Sequence, residues 1–275
     1  MFHISLVFIL CSFSLTAKTF DVSDSIRNSI LQKITFQKSS FPYPDHPELL
    51  YPYDLKPLNT FTKRELNKVA SNVIHCQYFV RKNNGTNPKF RCWLTNSAGQ
   101  LINGKNEVIS DDSSEKIELK VKYRKLNKPD RRKEKDMYTE VFGSLFLRSL
   151  GYASDFVIPT HKVVCHGCSK DPFKKTDKRE KSRISFYDAI VKMKKKGVAI
   201  TASGQKGWSF KEVNELIKDH KLPRQKALEF ETLAILMNVL VHSSNRSHQQ
   251  RLWCLGSDLT KPCHKPLGFI HDLGS

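Results

Sequence analysis

Six cysteines remain once the apolar opening MFHISLVFILCSFSLTA, which contains Cys11, is set aside. An even number of cysteines behind an apolar leader favours a fold stapled by disulfides in an oxidising compartment. Cys76 and Cys92 flank Asn83-Asn84-Gly85, a hairpin loop with Gly at the left-handed position, so the two face each other across a ladder at bridging distance. Cys254 and Cys263 flank another short connection and form a second candidate pair. Cys165 and Cys168 make a CxxC, open to three readings: a local disulfide, a redox pair, or half of a zinc site with Cys254 and Cys263.

The leader has signal-peptide length and ends in small residues, with a cut expected after Ala17 and export to the periplasm or medium. No later apolar stretch is long enough for a membrane-spanning helix, so the mature chain is expected to carry none. Residues 18–60 are polar and then rich in Pro and Tyr, and read as an extended arm. Hydrophobic residues at 39% supply a sizeable core and exclude a disordered tail. The net charge of +19 invites a nucleic acid or acidic polymer as partner, but the basic runs contain Asp and Glu and match no zinc-finger, homeodomain or RNA-recognition pattern. A solvated basic surface is the favoured reading of that charge.

Periodicity predicts a helix over 62–74, a hairpin over 76–94, and strands near 100–109 and 116–124. The last alternates, with Ile117, Leu119, Val121 and Tyr123 on one face and Glu118, Lys120 and Lys122 on the other. A helix over 135–150 comes next, expected to bury Val141, Phe142, Leu145, Phe146 and Leu150 and to end at Gly151. A strand over 156–164 leads into CHGC, helices are expected over 184–195, 209–219 and 222–241, and a strand over 267–270.

That order suits phosphoryl transfer from ATP, which needs a strand lysine at the phosphates, a glutamate on the next helix to hold it, and a loop with a base and a metal-binding amide. Lys122, or Lys120 on the same face, precedes Glu140; the loop after the most apolar helix carries His242, Ser244, Asn245 and Gln249; Asp272 precedes Leu-Gly. With GTNPKF (85–90), KVKY (120–123), EVFGSLFLRSLGY (140–152), VCHGC (164–168), NRSHQQRLWC (245–254) and FIHDLG (269–274), the chain resembles an exported bacterial group with a protein-kinase-like fold, related in style to HipA, CotH and the secretory-pathway kinases.

The resemblance implies an α+β, two-lobed fold, with a β-rich N-lobe over 61–152 and a mainly helical C-lobe over 153–275, truncated or reduced. It also implies ATP with Mg²⁺ or Mn²⁺, held by Thr86, Lys89, Lys120 or Lys122, Glu140, Gln249 and Asp272, and an acceptor that is a protein or a small molecule. Ser244 stands where such kinases carry a catalytic Asp, and a serine hydroxyl does not accept a proton as a carboxylate does. Phosphotransfer is therefore expected to be impaired or unconventional, with His242, Ser244 and Asn245 as the catalytic candidates. The rival readings are a non-catalytic, pseudokinase-type protein-binding module and a basic, disulfide-stapled protein that binds an acidic polymer.

Overall fold

A computed structural model describes residues 19–34, 36, 72–81, 87–124, 131–173, 183–193, 198–202, 205–240, 250–254, 263, 266–271 and 273. Its first unit is a closed barrel of five strands: β2 (Val73–Tyr78), β3 (Lys89–Thr95), β4 (Glu118–Lys122), β5 (Val157–His166) and β6 (Arg183–Met193). The order around the barrel is β2-β3-β4-β6-β5; every neighbouring pair is antiparallel except β2 and β5, whose parallel pairing closes the ring. Alternation sends Ile74, Cys76, Tyr78, Phe90, Cys92, Leu94, Leu119, Val121 and Tyr123 into one interior core.

The second unit is a sheet in the order β1 (Thr19–Asp21), β7 (Val198–Ala202), β9 (Gln250–Cys254), β10 (Pro266–Ile270), with β8 (Gln205–Lys206) paired to β7. Its core gathers α1 (Asp24–Gln32), α3 (Phe210–Lys218) and α4 (Arg224–Val239) around the fully buried Trp208, Phe36 and Phe230. The Phe36 and Trp208 rings meet edge to face at 5.2 Å. A parallel bridge from Ser154 to Ile270 and a hydrogen bond from the Ile270 amide to the Ala153 carbonyl join sheet and barrel.

This architecture overturns the two-lobed kinase fold. The β-rich part does not stop near residue 152, because β5 and β6 complete the barrel, and the chain beyond them builds a second sheet instead of a mainly helical lobe. The four described helices, these three and α2 (Arg131–Ser149), are short. The helix expected over 184–195 is strand β6. Its core residues Ile184 and Phe186 are followed by Ala189, Val191 and Met193, two runs of period 2 offset at Tyr187–Asp188. Asp188 lies there at φ 48°, both residues are exposed, and the offset spacing imitates a helical period. Val73 and Ile74, assigned to a helix over 62–74, belong to β2; the rest of that span up to residue 71, like the leader and most of the arm, lies outside the described residues.

Helix α3 starts at Ser209 with a full capping box, the Ser209 hydroxyl accepting from the Glu212 amide and the Glu212 carboxylate accepting from the Ser209 amide. The same carboxylate receives both Nη atoms of Arg27 on α1, at 2.5 and 3.0 Å, while Nη2 also donates to the Gly207 carbonyl at 2.7 Å. Burial alone would raise the Glu212 carboxyl; Arg27's hydrogen bond and charge, with Ser209, outweigh it and hold the group below its ordinary value. The contribution of this pair to stability is therefore present above the unfolded carboxylate's titration and lost as pH falls through the folded one. Arg27→Ala leaves Glu212 half-buried without its charge-assisted partner, and should cost about 2–3 kcal/mol in urea unfolding, with the difference shrinking in acid.

A candidate anion-binding face on the barrel

Because Phe90, Leu119, Val121 and Val191 point inward, their neighbours on β3, β4 and β6 point outward. Cross-strand register sets Lys89 opposite Lys122, Arg91 opposite Lys120, and Lys120 opposite Lys192. Three adjacent strands thus carry five cations on one face. Lys89, Lys122 and Lys192 are only 9%, 7% and 4% exposed. Like charges directly opposite one another destabilise a ladder by a few tenths to about 1 kcal/mol per pair, so such a face needs acids or an anion.

On the helix side, α2 supplies one such acid. Glu140, 1% exposed, accepts from the Lys122 Nζ at 2.5 Å and forms a second ion pair with Lys192. Lys192 also donates to Asp155 at 2.9 Å, and the His271 Nδ1 lies 2.7 Å from the same Asp155 oxygen. Glu118 accepts from Arg81 at 3.1 Å and from Arg91. Beside the acids, Met137 and Val141 of α2 pack on Val157 and Ile190. The expected buried face of this helix is corrected accordingly. Its inward stripe is Met137, Glu140, Gly143, Ser144 and Leu147, while Phe142 is 60% exposed and Leu150 also faces out. The helix turns Glu140 toward a charged surface while Met137 and Leu147 bury in apolar clusters, so ion pairing and apolar packing together set its facing.

The helix ends in a Schellman motif. Gly151, at φ 80°, donates to the Arg148 carbonyl and Tyr152 to the Leu147 carbonyl, which aims the chain at Asp155.

Of the residues singled out in the sequence, the structure brings Lys89, Lys120, Lys122 and Glu140 together. Thr86, His242, Ser244, Asn245, Gln249 and Asp272 lie outside the described residues. Lys192, Asp155 and His271 were missed. Lys192 was hidden by the helical reading of its strand; alternation through Val191 and Met193 would have turned it outward beside Lys120. Asp155 and His271 are non-local partners with no sequence signal of their own.

The cysteines pair as Cys76–Cys92, Cys165–Cys168 and Cys254–Cys263, with Cα separations of 5.6, 5.6 and 5.7 Å. In this state Cys165, Cys168, Cys254 and Cys263 offer no thiolates for the alternative zinc site. Cys165 and Cys168 are both fully buried in the barrel core, without the access that a redox pair needs. Cys76 and Cys92 stand diagonally, not directly opposite, since Cys76 pairs with Leu94 and Cys92 with Tyr78. Among the described residues no group of three or more His, Cys, Asp and Glu is placed to hold a metal ion, and no helix is long and apolar enough to cross a membrane.

Comparison with known proteins finds no family model, curated protein or solved structure that matches the chain. Fold and site therefore define a structural class alone: a disulfide-stapled β-barrel with a cationic outer face.

Proposed function

We propose that the protein is exported and binds the phosphate chain of a nucleoside triphosphate, ATP with Mg²⁺ or Mn²⁺, on the outer face of β3, β4 and β6. The observation that carries this reading is the row of like charges, Lys89 against Lys122 and Arg91 against Lys120 against Lys192, three of them nearly buried. Phosphate oxygens are a ligand class that cations arrayed on neighbouring strands can hold by charge-assisted hydrogen bonds. Glu140 fixes the Lys122 ammonium from the helix side, as a positioning acid. A divalent metal would supply charge neutralisation to the phosphates, with Gln249 and Asp272 as its proposed ligands. Among the described residues, Gln250 pairs with Ile270 at the end of β9 and β10, and His271 reaches the charge cluster through Asp155. With Ser244 in place of a carboxylate, binding without efficient transfer is the expected behaviour.

The test is thermal unfolding with ATP and Mg²⁺ or Mn²⁺. At a ligand concentration of about 100 times Kd, stabilisation of about 2.7 kcal/mol raises Tm by about 5–10 °C. Lys89→Ala and Lys120→Ala, which leave the Glu140 ion pairs in place, should abolish most of that rise. No rise for the parent protein removes the nucleotide reading. A rise with heparin or single-stranded DNA that vanishes in about 0.5 M salt, without one for ATP, supports the acidic-polymer reading instead. The protein-binding alternative rests on its own observation: Tyr138 and Phe142 stand 71% and 60% exposed on α2, one turn apart, with Phe146 stacked on Phe142 at 5.8 Å.

A further inference from the structure

Away from the lysine rows, the outer face of β2 and β5 carries a second polar group. Ile74, Cys76, Val163 and Cys165 point into the barrel, so His75 and His166 point out. Their rings lie 6.0 Å apart, centre to centre. Thr95 on β3 is the direct cross-strand partner of His75, and Arg183 on β6 that of His166. Four neighbouring strands therefore contribute Thr95, His75, His166 and Arg183 to one outward patch. The turn between Asn96 and Gln100 folds over its edge. A Cβ added to Gly99, which sits at φ 87°, would lie 2.9 Å from the His166 Nδ1, so only a glycine lets the turn come this close.

Three side-chain atoms here are buried and have no hydrogen-bond partner among the described residues: the His75 Nδ1, the His166 Nε2 and the Thr95 Oγ1. Buried polar atoms without partners are uncommon, and each is a sign of a missing water, ion or ligand. Every one of these atoms can donate once the imidazoles are protonated, as the Arg183 guanidinium does at any pH. The groups acting on His75 are Arg183, His166 and Lys162, and on His166 it is Arg183; none of them is an acid.

We propose that His75, His166, Thr95 and Arg183 form a binding site for a small oxyanion such as phosphate or sulfate. The site is independent of the nucleotide face and shares none of its residues. Imidazole nitrogens also bind transition metals, but a divalent cation here would meet the repulsion of Arg183 and Lys162, which an oxyanion converts into attraction. Burial first, then Arg183 and the other cations, holds both histidines below the ordinary imidazole value, so they are neutral near pH 7. An anion reverses the cationic contribution and raises both, so binding takes up protons and tightens as pH falls, by up to about tenfold per pH unit for one proton.

The experiment is a pH titration of the histidine side-chain NMR signals in the purified chain, in chloride and in sodium phosphate or sulfate at matched ionic strength. His75 and His166 are expected to titrate below 6.5 in chloride and to move up saturably with the oxyanion. His161 and His220 serve as internal references outside the patch. Arg183→Ala, an exposed position that leaves the fold intact, should weaken phosphate at least tenfold, and His75→Gln should remove the response of His166. Identical titrations in all three salts, or a response unchanged by Arg183→Ala, would overturn the proposal. So would stoichiometric binding of zinc chloride at the two rings with no response to phosphate or sulfate.

Discussion

Glu140→Ala is expected to remove about 3–5 kcal/mol of stability, the cost of leaving a buried charge without its partner. Two ammonium groups depend on this one carboxylate. Lys122 and Lys192 come from neighbouring strands, are nearly inaccessible to water, and meet on opposite oxygens of Glu140. Asp155 still serves Lys192 in the variant. Urea unfolding followed by circular dichroism gives the loss directly. A double variant, Lys122→Met with Glu140→Leu, should recover much of it, because replacing both members of a buried pair by apolar groups of similar volume is far cheaper than removing one. A Glu140→Ala protein within about 1 kcal/mol of the parent would show that the cluster does not hold α2 to the barrel. Glu140→Gln keeps the shape and removes the charge; it should weaken ATP binding more than any exposed substitution on α2, if Lys122 is positioned as proposed.

The second large effect belongs to the disulfide inside the barrel. Cys76 and Cys92 are separated by 16 residues, and both are fully buried. Closing a loop of that length in the unfolded chain is worth about 3 kcal/mol in the chain-entropy account. Cys76→Ala with Cys92→Ala should lose about that amount and lower the urea midpoint, with a somewhat steeper slope because the unfolded chain is released from its crosslink. The parent protein, unfolded in urea without reductant, should show none of the six cysteines from Cys76 onward as a free thiol. Two reactive thiols at positions 76 and 92 under those conditions would contradict the pairing.

Local chemistry was legible in the sequence, and tertiary assembly much less so. The hairpin of β2 and β3, the alternation of β4, the helix opening at Ser209 and the end of α2 at Gly151 all rest on neighbours a few residues apart, and each appears where expected. The Lys122–Glu140 pair was also anticipated, from the order of elements that phosphoryl transfer needs, as part of a kinase reading whose two-lobed fold the barrel contradicts. β6 escaped because its facing slips at Tyr187–Asp188, where Asp188 takes a left-handed conformation that period-2 reading does not anticipate. The facing of α2 escaped for a different reason. Hydrophobic periodicity put Phe142 and Leu150 inside, but the surface awaiting the helix is cationic, and Glu140 satisfies it better than an aromatic ring would. Asp155 and His271 could not be found by spacing, since their significance arises only when β10 is laid beside the start of β5.

The described chain opens with β1, which pairs in parallel with β7, and Arg27 just beyond it grips a carboxylate 185 residues further on. Such closure sets an order in time. During synthesis or passage through a membrane the first strand emerges long before its partner exists, and it must wait unpaired while the barrel forms behind it. Parallel closure of β2 on β5 delays the barrel in the same way. Folding should therefore be slow for a chain of this size, with the amino-terminal strand last to become protected from hydrogen exchange.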